Sequence, residues 1–405
     1  MRPFTSTISL DEAKRLLAAE AWPIARTERV DLAQASGRVA AADVVAGMPV
    51  PPFARSAMDG YAVRSADVAG ASAASPITLD IVERIYSGQA PRAQITPGTC
   101  AEIATGAPLP AGADCVVMVE ETAPGARAES VAILASAAAG QHVGRAGGDI
   151  DRGERVVAAG DLLTPARAGA IAAVGQDTVE VFARPVVSIV STGNEIVQAA
   201  GATPLGPGQI YDVNRFTLAS IVGAHGGIAY PLAPAADTVE ALDAALSAAA
   251  GSDLVVFSGG SSVGERDLLV DAIARRGRMI FHGIAVKPGK PTAFALIDGT
   301  PVFGMPGNPT SCLSNAYILL VPFLRAVARL PAWTPRIVAA PLGRRIQSQA
   351  GRHQFYTVRL ENGVAMPAFK GSGDITSLSR ADGYIEIPAH ESVVAEGARV
   401  EVTLF

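Results

Sequence analysis

The sequence predicts a multidomain protein in which a central α/β domain is combined with β-rich domains. Between residues 181 and 330, short apolar runs alternate with helical segments of ten or more residues. This pattern is typical of a mostly parallel sheet that is covered by helices on both faces, a three-layer arrangement. Much of residues 23–180 and all of 336–405 carry short Val/Ile-rich runs between Gly, Pro and Asp turns, which indicates β-rich modules. A chain of 405 residues is also too long for one ordinary core.

The first part of the chain is predicted to contain one helix and several short strands. Ser9 and Glu12 have the spacing of a capping box ahead of an Ala/Leu-rich run, which predicts a helix to about residue 22. Strands are predicted at residues 77–85, 114–120 and 131–134. We expect residues 46–145 to form a separate β-rich domain, inserted into a discontinuous domain of residues 1–45 and 146–180.

The α/β domain is assigned to residues 181–330. Strands are predicted at residues 186–190, 227–232, 253–257 and 279–286, and helices at residues 211–225, 238–250, 265–277 and 309–330. In such a domain, ligands bind beyond the carboxyl ends of the strands. Pro331 and Pro335 mark its end, and residues 335–405 are assigned to a small all-β domain.

Composition and charge exclude several classes of protein. Apolar residues make up 49% of the chain, which fits a globular enzyme and not a disordered protein. The net charge is −5 and there is no Lys/Arg run, so we expect no nucleic-acid partner. The amino terminus lacks an apolar core of signal-peptide length, and no window approaches 18 uninterrupted apolar residues. We therefore expect a soluble, cytoplasmic protein that does not bind membranes.

Cysteine and histidine usage gives no sign of a metal site. Cys100, Cys115 and Cys312 are far apart and form no C-x-x-C pair, so we expect reduced, packed thiols and not a disulfide framework or a structural zinc site. The five histidines are equally scattered, with no two at the ligand spacing of a helix.

Lysine usage is the most informative local feature. The chain has four lysines against 29 arginines, and Lys287 and Lys290 stand together in the segment VKPGKP. Pro-Gly between them predicts a type II turn, with the two lysine Cα atoms less than about 7 Å apart. Two ammonium groups that close repel by about 1 kcal/mol in water and by about 4 kcal/mol at an effective dielectric near 20, and an anion would relieve this. The alternative is a solvated hairpin tip, and the segment alone leaves both interpretations open.

Three informative loops follow predicted strands and would meet at one edge of the sheet. They are residues 191–195 (STGNE), residues 258–267 (SGGSSVGERD) and the lysine segment. The Ser/Gly-rich loop can offer backbone N–H groups and a helix terminus to phosphate or oxyanion groups. Its G-G-x-x-x-G spacing is neither a Rossmann fingerprint nor a P-loop. For Asp267 the alternative is an acid that complements the helix dipole.

Other turn-like segments have both a structural and a functional interpretation. In residues 304–311 (GMPGNPTS), Asn308 can cap a helix and Pro309 can occupy its first position. Asp59 precedes Gly60, and Asp149 follows Gly147 and Gly148. A hairpin turn would explain either segment. Arg352 and Ser372 fall on loops, where solvated side chains of both types are common.

Taken together, eight motifs resemble the MoeA family of molybdopterin molybdenumtransferases, which includes the E domain of gephyrin. The motifs are SAMDGYA (56–62), ATGAPLP (104–110), GGDI (147–150), STGNEI (191–196), QIYDVNR (209–215), SGGSSVGERD (258–267), KPGKP (287–291) and GMPGNP (304–309). Their common order over about 250 residues favours the functional interpretation of all of them jointly.

The resemblance implies a fold and a reaction. It implies four domains, of which the third is a molybdopterin-binding α/β domain and the fourth a small β-barrel-like domain, in an elongated homodimer. The implied reaction inserts molybdate into the dithiolene of adenylylated molybdopterin and releases AMP with the help of Mg²⁺. The substrates would be molybdate and adenylylated molybdopterin, and candidate partners are a molybdopterin adenylyltransferase and molybdoenzyme or chaperone proteins.

The resemblance also implies site residues. The implied catalytic residues are Asp59, Asp149, Glu195, Asp267, Lys287 and Lys290. The implied substrate-binding residues are Thr105, Gly259, Gly260, Ser261, Ser262, Gly264, Pro306, Pro309, Arg352 and Ser372. Glu195, Asp267 and Asp237 are the implied metal ligands. The sequence departs from the common family pattern at Ala54, Asn194 and Ser261.

Two other functions are compatible with the resemblance. One is a non-catalytic scaffolding or binding homologue, which the complete set of acids and lysines disfavours. The other is a molybdopterin adenylyltransferase, a related α/β enzyme; the β-rich domains and the KPGKP segment disfavour it.

Overall fold

The protein is described from a computed structural model, in which residues 7–198, 204–259 and 268–405 are described. These residues form two compact units. Residues 29–36 and 40–181 make up one of them, and the other described residues make up the second. Each unit has its own hydrophobic clusters, so each is described by itself.

Helices are concentrated in the second unit. The α-helices of the described residues are α1 (Leu10–Ala19), α2 (Pro165–Ala173), α3 (Asn214–Ala224), α4 (Val239–Ala248), α5 (Leu268–Arg276), α6 (Pro309–Asn315), α7 (Val321–Val327) and α8 (Thr376–Ser379).

The first twelve strands lie between residues 27 and 182. They are β1 (Thr27–Asp31), β2 (Val44–Val45), β3 (Arg55–Ser56), β4 (Gly60–Val63), β5 (Ile77–Ile85), β6 (Thr99–Ile103), β7 (Cys115–Met118), β8 (Thr122–Pro124), β9 (Ser130–Ile133), β10 (Val143–Gly144), β11 (Arg155–Val157) and β12 (Thr178–Phe182).

A six-stranded sheet forms the centre of the first unit. Its strand order is β7-β4-β6-β5-β9-β8, and only the β5–β6 pair is parallel. Alternate residues of these strands point into two hydrophobic clusters, one around Leu79 and Val117 and the other around Ile85 and Val116. The three strands predicted in this region are present, and the one predicted at residues 114–120 ends in a 3₁₀ turn.

The remaining strands belong to the second unit. They are β13 (Val186–Ser191), β14 (Ile196–Val197), β15 (Ile210–Tyr211), β16 (Ile228–Pro231), β17 (Leu254–Ser258), β18 (Gly277–His282), β19 (Val286–Lys287), β20 (Ala293–Ile297), β21 (Thr300–Met305), β22 (Ile337–Pro341), β23 (Ile346–Gln347), β24 (His353–Glu361), β25 (Val364–Pro367), β26 (Gly383–Ile387), β27 (Val393–Val394) and β28 (Arg399–Leu404).

The predicted α/β domain is confirmed as a three-layer structure with a mostly parallel sheet. The strand order is β16-β13-β17-β21-β20-β18, and five of the six strands run in the same direction because β20 alone is antiparallel to both of its neighbours. In β17, Leu254 and Val256 face one hydrophobic cluster with α3, α6 and α7, whereas Val255 and Phe257 face a second cluster with α4 and α5. This alternation places helices on both faces.

The ends of the predicted elements differ in places. Helix α3 begins at Asn214, because Tyr211 belongs to the short strand β15 that pairs with β14. The hairpin of β20 and β21 was not predicted. Helix α5 is described from Leu268, so the start of the helix predicted at residues 265–277 lies outside the described residues.

The long helix predicted at residues 309–330 is interrupted. Helices α6 and α7 are joined by a π-helical segment, Ala316–Leu320, and Pro322 follows at the start of α7. A proline inside a helix removes a backbone donor, which accounts for a change of hydrogen-bonding pattern before it. Residues 309–327 are long and apolar enough to cross a membrane by length and composition, but 72% of this stretch is buried in the protein, as expected of a core helix.

The carboxyl-terminal domain is β-rich, as predicted. Its sheet has the order β19-β24-β26-β28-β22, and β25 pairs with β24. A bridge between Leu342 and Ala365 brings β25 next to the end of β22, so the sheet curls towards a barrel. Strand β19, which ends in Lys287, pairs with the start of β24 and thereby joins the lysine segment to this domain.

The amino-terminal helix and the cysteines complete the core. Ser9 caps α1 by accepting a hydrogen bond from the N–H of Glu12, at 3.1 Å. The buried residues of α1 pack in the same hydrophobic cluster as α3 and α7.

The predicted domain boundaries stay predictions. All three cysteines are free and buried, and burial raises the pKa of each thiol to about 12.

Candidate functional site

A cleft of about 1360 Å³ opens where β13, β17 and β21 end, at the edge of the sheet that the sequence predicts. Loops of the α/β domain form part of its wall, and loops of the carboxyl-terminal β domain form the rest. The predicted site residues that line it are Glu195, Asp237, Gly259, Lys287, Lys290, Pro306, Pro309, Arg352 and Ser372. The structure therefore brings together nine predicted residues from seven separate segments of the chain.

Eight other predicted residues are not placed at this cleft. Gly260, Ser261, Ser262, Gly264 and Asp267 lie outside the described residues. Asp59, Thr105 and Asp149 belong to the first unit.

Two acids lie close to one another on the loops that follow β13 and β16. Burial raises the pKa of the Asp237 carboxyl above its ordinary value, and the negative charge of Glu195 raises it further. Asn194 accepts a hydrogen bond from the N–H of Asp237, at 3.3 Å. Since Asn194 is neutral, it ties the two loops together without adding a third negative charge to the pair.

The donor set of these loops fits a magnesium ion. Among the described residues, no three His, Cys, Asp or Glu side chains gather as a ready-made metal site. Magnesium is usually bound through one or two carboxylates together with waters and substrate phosphates, and Glu195 and Asp237 supply that number of hard oxygen ligands.

Four cations line the same cleft: Lys287, Lys290, Arg352 and Lys370. The parallel pairing of β19 with β24 matches Val286 with His353 and Lys287 with Gln354, which places Arg352 next to the lysine segment. Among the described residues, neither Lys287 nor Arg352 forms a salt bridge. Charge of both signs is thus available to a ligand with phosphate groups.

The lysine segment is held in its shape by a buried amide. Gly289 has φ = 101°, as the sequence predicts for the glycine of this turn, but the Lys287–Pro288 peptide bond is cis, which a type II turn does not have. The Nδ2 group of Asn315 donates to the carbonyl of Gly289 at 2.8 Å and to Thr292 Oγ1 at 2.6 Å. Asn315 belongs to α6, so the turn is fixed to the core of the domain.

We expect Gly289→Ala to destabilise the protein by about 1–3 kcal/mol and to weaken anion binding. The positive φ disfavours any residue with a Cβ atom, and a Cβ at this position would overlap the Asn315 amide. Urea unfolding measures the stability, and titration with pyrophosphate measures the binding. Gly299→Ala is a matched control, since Gly299 also has positive φ but has no atom near its Cβ position. Equal pyrophosphate affinity in both variants would contradict the role of the turn.

The loop that contains Ser372 is attached to the start of α6. Asn308 occupies the capping position of α6, but its side chain accepts no capping hydrogen bond from the helix; its Nδ2 group donates to Ser372 Oγ at 3.0 Å. The Thr310 N–H donates to the Ser372 carbonyl, and the Thr310 hydroxyl donates to the Asp374 carbonyl. These bonds explain why a helix start and a loop of the β domain line one cleft.

Sequence reasoning missed two charged residues of the cleft. Asp212 is only 3% exposed; its Oδ1 accepts from the Arg215 N–H at 3.1 Å, and its Oδ2 has no hydrogen-bond partner among the described residues. Asp212 belongs to the motif QIYDVNR, and this motif could have identified it as a site residue. Lys370 belongs to none of the eight motifs. Only the small number of lysines in the chain could have drawn attention to it.

In the first unit, Asp59 and Thr105 lie together. The Thr105 N–H donates to Asp59 Oδ1 at 2.8 Å, and hydrogen bonds from the N–H and hydroxyl of Thr105 lower the pKa of Asp59. Since β3 pairs with β10 and not with β4, Asp59 and Gly60 are not the turn of a β3–β4 hairpin. The Asp149 N–H donates to the Val50 carbonyl, and its side chain is exposed.

The fold and the cleft define a class of protein. A parallel-sheet domain that presents acids and cations at the carboxyl ends of its strands is an arrangement for binding phosphate-bearing ligands. Comparison with known proteins identifies the class more closely. Residues 8–175 match the profile "MoeA N-terminal region (domain I and II)", residues 188–326 match "Probable molybdopterin binding domain", and residues 339–405 match "MoeA C-terminal region (domain IV)".

Known relatives match over nearly the whole chain. The chain is 36% identical to molybdopterin molybdenumtransferase 2 of Mycobacterium tuberculosis, over 97% of this chain and 98% of that protein. It is 33% identical to a molybdopterin molybdenumtransferase of Nostoc sp., over 93% and 88% of the two chains. A crystal structure of a molybdopterin biosynthesis MoeA protein from Pyrococcus horikoshii superposes with a TM-score of 0.81 at 30% identity, over 99% of this chain and all of that one. The chain belongs to the MoeA family of molybdopterin molybdenumtransferases, which are transferases of molybdenum cofactor biosynthesis.

Proposed function

We propose that this protein inserts molybdate into the dithiolene of adenylylated molybdopterin and releases AMP. One observation carries the proposal: a single cleft holds two neighbouring acids, Glu195 and Asp237, together with the Lys287 and Lys290 pair. Molybdate and a phosphoanhydride are both anions, so cations must bring them together before they react.

The lysines and Arg352 bind the oxygen atoms of the two anions in this proposal. The backbone N–H of Gly259 is already used by the Met305 carbonyl, so amide donors for the substrate come from other residues of the 258–264 loop. Two Mo–S bonds form as one molybdate oxygen leaves with the two thiol protons as water. A second water cleaves the anhydride to give AMP and a terminal phosphate. No protein nucleophile is required.

Glu195 and Asp237 would hold magnesium, and Asp267 is proposed as a further ligand. When bound, the ion supplies positive charge that stabilises the phosphate oxygens during anhydride cleavage. In this proposal the two carboxylates would hold the ion and orient its waters.

The remaining assignments concern the assembly. We propose that the protein is a homodimer in the cytoplasm and that Asp59, Thr105 and Asp149 act on substrate of the partner subunit. The candidate partners are a molybdopterin adenylyltransferase and the molybdoenzymes or chaperones that receive the product. Sedimentation of the purified protein tests the dimer.

The decisive assay follows AMP by chromatography. Purified protein is incubated with adenylylated molybdopterin, with and without molybdate and Mg²⁺, and we expect AMP release only when both are present. Consumption of ATP with unadenylylated molybdopterin and no molybdate would instead indicate an adenylyltransferase. Absence of both activities in folded protein would indicate a non-catalytic binding protein.

A further inference from the structure

The distribution of lysines in the structure is uneven. The chain has four lysines, and three of them, Lys287, Lys290 and Lys370, line the cleft. Arginine is seven times more common, yet among the described arginines only Arg352 lines it. Lysine and arginine differ physically: lysine provides a compact, strongly hydrated point charge on a flexible stem. Lysine is therefore concentrated in the cleft, whereas nearly all cations in the rest of the chain are arginines.

From this distribution we infer that Lys370 is a substrate-binding residue whose ammonium group binds an oxyanion group, phosphate or molybdate, of the bound substrates. The inference rests on the proposed function, since it concerns the same cleft and the same anions. Lys370 follows β25 of the carboxyl-terminal β domain, whereas Lys287 and Lys290 lie in the segment between β18 and β20 of the α/β sheet, so the third ammonium group reaches the substrate from a different loop.

The charge balance of the cleft depends on Lys370. The described lining residues include four cations and three carboxylates, those of Glu195, Asp212 and Asp237, which leaves one net positive charge. Without Lys370 the described lining would be neutral. The whole chain carries −5, so the protein outside the cleft does not attract anions. A substrate pair made of two anions needs a local positive excess, and Lys370 supplies it.

The backbone on both sides of Lys370 is anchored, although its side chain is exposed. The Lys370 N–H donates to Ser377 Oγ at 3.0 Å, and Ser377 is fully buried. The preceding Phe369 packs on Tyr356, with ring centroids 5.2 Å apart. The side chain itself forms no salt bridge with the described residues. A fixed backbone with an unpaired ammonium group is suited to meet a ligand.

The test compares Lys370→Gln with Lys14→Gln and Lys370→Arg. Lys14 is the one lysine outside this cleft; it is exposed on α1 and serves as the matched control. For Lys370→Gln we expect KM to rise about 3–10-fold for adenylylated molybdopterin, for molybdate or for both, with kcat nearly unchanged. The dependence of KM on salt should also weaken, because one charge contact is lost. Lys370→Arg should restore only part of the affinity, because its planar guanidinium group differs from a compact point charge.

Calorimetric titration with pyrophosphate and with molybdate, each alone, separates this inference from the proposed function. Affinity for at least one of these anions should fall in Lys370→Gln and not in Lys14→Gln, even if the wild-type protein releases no AMP, and the anion affected identifies the group that Lys370 binds. Unchanged affinity for both anions, or unchanged KM for both substrates in an active wild-type enzyme, would overturn the assignment of Lys370.

Discussion

Lys287→Ala is expected to lower kcat/KM for molybdate-dependent AMP release by at least about 100-fold, the size of effect seen when one donor that stabilises a developing oxyanion is removed. The reason lies in where the side chain is fixed. Lys287 ends β19, which pairs with β24, and the following turn is bonded to Asn315 in the core. The backbone that carries Lys287 is therefore fixed at the cleft. Arginine at this position should restore only part of the activity, since its planar group differs from a point charge.

The fold should survive the Lys287→Ala change. Among the described residues Lys287 forms no salt bridge, so its loss leaves no buried partner without a counter-charge. Thermal unfolding of the variant should match that of the wild type, and Lys14→Ala should be active. Turnover of Lys287→Ala at the wild-type rate would refute the assignment of Lys287 as a catalytic residue.

The α/β domain was predictable because its sheet is buried on both faces. Strands such as β13 and β17 are short apolar runs, and the helices between them have a clear apolar period, so the sequence shows both elements locally. The hairpin of β20 and β21 was missed. It inserts one antiparallel strand between two strands of the common direction, and this direction is decided by pairing between distant residues.

The cleft was predictable where a loop follows a strand, and less so elsewhere. Glu195 follows β13, Lys287 ends β19, and both sit in distinctive motifs, so both could be assigned. Lys370 could not, because its place depends on how the carboxyl-terminal domain packs on α6 through Thr310 and Ser372. The π-helical segment between α6 and α7 also depends on tertiary context, and the apolar pattern alone predicted one continuous helix.

Glu195→Gln is expected to lower kcat for AMP release by about 100-fold or more while leaving the fold intact. Glutamine keeps the size of the side chain but removes the charge that would hold magnesium beside Asp237, so the positive charge needed at the anhydride is lost. The variant should require a higher Mg²⁺ concentration for its residual activity. Glu391→Gln, which changes an exposed acid outside the cleft, is the matched control. It should retain the kcat and the Mg²⁺ requirement of the wild type.

The same variant should change the dependence of stability on pH in a defined direction. Burial and the charge of Glu195 raise the folded-state pKa of Asp237 above its ordinary value of 3.8, so ionised Asp237 is disfavoured in the folded protein. This cost is absent below pH 3.8 and develops as pH rises through the folded pKa. Glu195→Gln removes the charge contribution and leaves that of burial. We therefore expect the variant to be slightly more stable than the wild type at pH 7 and to lose this advantage in acid.

The size of the stability gain should be small. Asp237 is only partly desolvated and the residue as a whole is exposed, so solvent screens its interaction with Glu195, and repulsion between such surface charges amounts to about a few tenths of a kcal/mol. Urea unfolding at pH 7 and at a pH below 3.8 measures the difference, and NMR titration of the Asp237 carboxyl should show its pKa falling in the variant. An unchanged pKa of Asp237 would show that the two carboxylates do not interact, and the proposal that they share a magnesium ion would then fail.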